Sequence, residues 1–176
     1  MNEQKTAILM DSGGDLPADL CEREGIRILP LHVIYPEKDY MDGIDIDPMM
    51  VYERFPDEIP TTSTPSVQEI LDIFEDLVRQ GYEKLIAVTI SCRLSGTGNT
   101  VALAAREFKG LEVFVFDTKN ISFGSGIFAL WAARKLKEGM FVIVGFTTGC
   151  SCTDCTGATD CGGVTDSTGV TGACAG

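Results

Sequence analysis

The residues of this chain that could do chemistry are mostly alcohols. Thr61-Thr62-Ser63-Thr64-Pro65-Ser66 is a run of hydroxyls broken by one proline. A second group, Ser91-Cys92-Arg93-Leu94-Ser95-Gly96-Thr97, follows an apolar stretch, and Ser12 follows another. A hydroxyl needs a neighbouring base to become a nucleophile. His32 is the only histidine and lies among apolar residues. It reads as a packed or hydrogen-bonded side chain, and any Ser-His or Cys-His dyad would have to be built around it alone. Cys92 stands near a helix start, which would lower a thiol pKa. Asp11, Asp42, Asp45 and Asp117 could bind Mg²⁺ if they converged; turn-forming roles suit them better. The chemistry that fits the alcohols is anion binding. Near a helix beginning, hydroxyl donors join unpaired N–H groups and the positive end of the helix dipole.

The elements that must position these groups follow from hydropathy. Leu85 to Ile90 is a short, nearly unbroken apolar run, which suits a strand covered on both faces. Thr6 to Met10 and Leu111 to Phe116 read the same way. Ile26 to Tyr35 reads as one further strand, with Pro30 marking an edge or bulge. Helices are expected over Pro17 to Glu24, Met49 to Phe55, Val67 to Val78, Gly98 to Phe108 and Ser122 to Glu138. Val67, Ile70, Leu71, Phe74, Leu77 and Val78 recur at helical spacing, and Ser66-x-x-Glu69 has the form of a capping box. Pro36 to Asp47 and Pro56 to Pro60 read as loops. Alternating strands and helices imply an α/β fold: three layers, α/β/α, around a mostly parallel sheet. Ligands of such sheets sit beyond the carboxyl ends of the strands. Asp11-Ser12, Thr61 to Ser66, Ser91 to Thr97 and Asp117-Thr118 all fall at such ends or at helix starts.

The chain has 176 residues, enough for a domain with a substantial core. Its net charge of −12 argues against nucleic acid and anionic membrane surfaces as partners. The N-terminus lacks the pattern of a signal peptide and no apolar run is long enough to span a bilayer, so a cytoplasmic protein is expected. Residues 1–140 form the expected domain. Residues 141–176 end in a stretch, from Thr147, built only of Thr, Gly, Cys, Ser, Asp, Ala and Val. It cannot bury enough surface to offset its ordering entropy and is expected to be disordered or non-native. It holds Cys150, Cys152, Cys155, Cys161 and Cys174, but not the paired C-x-x-C form of a zinc site. No metal and no cofactor is expected.

Several blocks together resemble the DegV family of bacterial fatty-acid-binding proteins. These are Thr6 to Ser12 with Asp15-Leu16-Pro17, Ile28 to Leu31 with Tyr40 to Asp45, Thr61 to Ser66, Ser91 to Thr97, and Asp117-Thr118 with Ser122 and Gly124 to Gly126. The resemblance covers residues 5 to 139. It implies a carrier, not an enzyme. A long-chain fatty acid would lie between two α/β domains and be presented to a separate fatty-acid kinase. Its carboxylate would be hydrogen-bonded by the hydroxyls matching Thr62 and Ser95. Ser63, Gly96, Thr97 and Ser12 lie in the same blocks and complete the expected ligand-binding set. The family's second domain is expected to be missing here, and a homodimer through an exposed tunnel wall is a further expectation. Gly13 and Gly98 depart from the family pattern. The rival expectation is a metal-dependent phosphotransferase or hydrolase using Asp11 and Asp117; no Walker-type glycine motif supports it.

Overall fold

Every residue of strand β1, Thr6–Asp11, is buried, so this strand must be covered on both faces. Its side chains alternate between two cores. Ala7 and Leu9 point into one, shared with Ile70, Phe74, Leu77, Val101 and Ala104. Ile8 and Met10 point into the other, shared with Cys21, Ala129, Ala133 and Leu136. Helices α3 (Val67–Arg79) and α4 (Thr97–Glu107) therefore cover one face. Helices α1 (Ala18–Glu24) and α5 (Phe123–Lys137) cover the other. The result is the expected α/β/α arrangement. The computed structural model describes residues 2–55 and 57–140. The expectations for residues 141–176 and their cysteines lie outside the described residues.

The main sheet has the order β2-β1-β6-β7 and is parallel throughout. Strand β2 is Ile26–Leu29, β6 is Lys84–Thr89 and β7 is Glu112–Asp117. The chain leaves β1 toward β2 on one side and returns to β6 on the other. The gap between the carboxyl ends of β1 and β6 is thus the switch point where open α/β sheets bind ligands.

One expected strand is two. Ile26 to Tyr35 splits at Pro30-Leu31, because proline has no N–H for a ladder. Its first part is β2; its second, β3 (His32–Tyr35), joins a separate antiparallel sheet of order β4-β3-β5. The expected loop Pro36 to Asp47 contains β4, Lys38–Met41, and the alcohol run contains β5, Thr61–Ser63. Ser12 Oγ fixes the break by accepting the Leu31 N–H at 3.0 Å. A short helix α2, Pro48–Arg54, links the small sheet onward, capped by the Asp47 side chain on the Met49 N–H.

Candidate functional site

Beyond β6 the chain turns through Ser91–Gly96 into α4. The turn is tied down on three sides. The Ser91 N–H donates to the Asn120 carbonyl at 2.8 Å, and the Ser91 carbonyl accepts the N–H groups of Leu94 at 2.8 Å and Ser95 at 3.1 Å. The Cys92 N–H donates to Asp117 Oδ1 at 3.3 Å. Ser95 is half-buried; its Oγ accepts the Thr97 N–H at 3.2 Å and lies 2.8 Å from Thr97 Oγ1. Thr97 is fully buried. Gly96 occupies the N-cap position, is exposed, and gives α4 no side-chain cap. The positive end of the α4 dipole therefore lies at an exposed turn beside a half-buried hydroxyl.

Gly96 also marks where the two alcohol groups meet. A Cβ at Gly96 would stand 3.4 Å from Thr64 Cγ2. The β6–α4 turn and the β5–α3 connection are neighbours. Thr62 and Ser63 are exposed on β5, where they pair with Val33 and His32 of β3. Ser66 caps α3 in a full capping box with Glu69, as the S-x-x-E spacing suggests. Thr62 lies in a strand and caps nothing. The structure thus brings Thr64 beside Gly96. Ser12 holds Leu31 at the β2–β3 break.

The strand-end aspartates are occupied with backbone. Asp11 Oδ2 accepts the Ile90 N–H at 2.8 Å, which bridges the switch point from β1 to β6. Asp117 Oδ1 accepts the N–H groups of Cys92 and of Lys119, the latter at 2.9 Å. Asp117 works as a turn-forming group, whereas Asp11 ties β1 to the residue following β6. Among the described residues no group of three or more His, Cys, Asp or Glu side chains is placed to hold a metal ion. Likewise, no described helix is long and apolar enough to cross a membrane.

His32 has two companions that sequence reasoning did not pick out. Its Nδ1 lies 2.9 Å from Asp39 Oδ1 and its Nε2 lies 3.2 Å from Glu69 Oε1. Asp39 opposes Ile34 across the β3–β4 ladder, which makes it a diagonal neighbour of His32. That signal was available only once β4 was known to be a strand.

A sequence profile of the DegV family, described as that of an uncharacterised protein, matches residues 5–142. The chain belongs to the DegV family. A DegV domain-containing protein of Clostridium acetobutylicum is 38% identical over 136 residues, covering 77% of this chain and 49% of that protein. Among solved structures, a DegV family protein from Thermus thermophilus described for its fatty acid binding is 33% identical, with a TM-score of 0.72. That match covers 81% of this chain and 50% of the other. A stearic acid-binding protein from Eubacterium ventriosum is 29% identical, with a TM-score of 0.69, over 77% of this chain and 49% of the other. The chain spans about half the length of the DegV relatives it matches.

Proposed function

We propose that this chain supplies the carboxylate-binding half of a DegV-type fatty-acid carrier. Thr62 and Ser95 donate hydrogen bonds to the ligand carboxylate, and Ser63, Gly96, Thr97 and Ser12 shape the site around them. The observation that carries the reading is the nearness of Thr64 to Gly96, which supports a shared site for the two alcohol groups at the exposed start of α4. A carboxylate there meets hydroxyl donors and the positive end of a helix dipole. Burial of the acyl chain supplies most of the affinity, at about 0.8 kcal/mol per CH₂. The fatty-acid binding named for the Thermus thermophilus and Eubacterium ventriosum proteins supports the ligand class. The carrier performs no covalent chemistry itself and presents the acid to a fatty-acid kinase.

Native mass spectrometry of the chain after incubation with palmitate tests this. Retention of one palmitate per chain is the expected outcome. Thr62→Ala and Ser95→Ala should each weaken retention about tenfold, the loss of one charge-assisted hydrogen bond. A chain that retains no acid, or variants that retain it as well as the parent, would overturn the reading.

A further inference from the structure

His32 is the chain's only histidine, and both its ring nitrogens face carboxylate oxygens. Nδ1 meets Asp39 of β4 and Nε2 meets Glu69 in the first turn of α3. Ionised carboxylates only accept hydrogen bonds, and a neutral imidazole donates from one nitrogen alone. The Nδ1 contact has hydrogen-bond geometry and the Nε2 contact is an ion pair, so both are attractive only when the ring carries both protons. On deprotonation, a nitrogen lone pair is turned toward one of the two carboxylates.

Glu69 does a second task. Its Oε2 accepts the Ser66 N–H at 2.7 Å and the Ser66 hydroxyl at 2.6 Å. One carboxylate thus joins His32 on β3 to Ser66 at the far end of the alcohol run. The near end is held by β3 itself, through the pairings His32 with Ser63 and Val33 with Thr62. The segment Thr61–Ser66 is therefore anchored to β3 twice, once by backbone pairing and once through the chain His32–Glu69–Ser66.

We propose that His32 is a positioning residue: its imidazolium holds the segment Thr61–Ser66 in place, and deprotonation loosens it. The consequence for ligand binding rests on the reading that Thr62 holds the carboxylate. The charged groups facing His32 are Asp39 from β4 and Glu69 from α3; β5 presents the uncharged Ser63 opposite it. Partial burial works against the charged ring, but hydrogen bonds to and the charges of Asp39 and Glu69 outweigh it and raise the His32 pKa. A raised histidine pKa means the anchor is complete below the ordinary value of 6.5 and is lost as pH climbs through the folded value.

The test is NMR on the whole chain from pH 5.5 to 8.5, where a single histidine makes the imidazole assignment unambiguous. Backbone order parameters of Thr61–Ser66 should fall with the same midpoint as the His32 ring titration. Palmitate affinity should fall about three- to tenfold over that range, the span of one half-exposed charge-assisted hydrogen bond. In His32→Gln, which has one donating nitrogen and no charge, the order parameters should be low and flat with pH. Comparing the two proteins at each pH cancels the titration of palmitate itself. Asp39→Asn is the milder variant and should move the ring midpoint and the order midpoint downward together. Order parameters that ignore the ring titration, or fall equally in His32→Gln, would overturn the positioning role. If the segment follows the ring but palmitate binds at no pH, the positioning role stands and the carrier reading fails.

Discussion

Asp11 is a carboxylate held almost wholly out of water, 1% exposed, with one oxygen on the Ile90 N–H and the other, Oδ1, without a hydrogen-bond partner among the described residues. Burial pushes its pKa up to about 6, against the pull of the Ile90 N–H, and the charge of Asp15 adds to the rise. An acid whose folded pKa lies above its unfolded value of 3.8 binds its proton more tightly when folded. Stability therefore increases as pH falls from about 6 toward 4. At neutral pH the buried charge costs about 3 kcal/mol. Asp11→Asn keeps an acceptor for Ile90 and removes the charge. It should raise the unfolding free energy at pH 7.5 by about 1–2 kcal/mol and flatten the gain on acidification. Urea unfolding at pH 5 and 7.5 measures both, and a variant less stable than the parent at pH 7.5 would contradict the account. That Asp11 ends a strand is legible from its sequence neighbours. That it locks the switch point is not, because its partner Ile90 is 79 positions away.

Among the elements, α5 docks by backbone. Its first turn is set by Ser122, whose φ of 56° and ψ of −149° belong to a region that glycine adopts and other residues avoid. The Ser122 N–H donates to the Gly13 carbonyl at 2.8 Å, and a Cβ at Gly126 would fall 2.3 Å from the Gly14 carbonyl oxygen. The helix start is thus pulled against the turn Ser12–Gly14, and Ser122 bears the strain. Ser122→Gly should stabilise the fold by about 1 kcal/mol, read as a rise in melting temperature. A fall would mean that the serine is not strained. The same local view explains what sequence could and could not reveal. Helix α3 was legible because its apolar period and its Ser66–Glu69 box agree, and buried Ile70, Phe74 and Leu77 follow that period. Strands β4 and β5 were not, because Lys38–Met41 and Thr61–Ser63 carry no apolar alternation. They exist because β3 pairs with them on either side. The break at Pro30 was visible as a disturbance, but only the second sheet shows where the chain goes next.

Across the described residues, two cores clamp one parallel sheet and leave its carboxyl edge to the connecting turns. Leu94, Ile121 and Phe123 are exposed in those turns and at the start of α5, and Ile127 and Trp131 continue along that helix. The alcohols were legible as a candidate site from composition and family resemblance. The approach of Thr64 to Gly96 was not, since the two meet only through the fold. The central claim is that both alcohol groups share one headgroup. The most direct measurement is NMR of the chain with palmitate labelled at its carboxyl carbon. The account predicts saturable amide shifts confined to Thr61–Ser66 and Ser95–Thr97, and a bound carboxyl signal that Thr62→Ala and Ser95→Ala each displace. Saturable binding that perturbs neither segment, with a carboxyl signal indifferent to both substitutions, would contradict it.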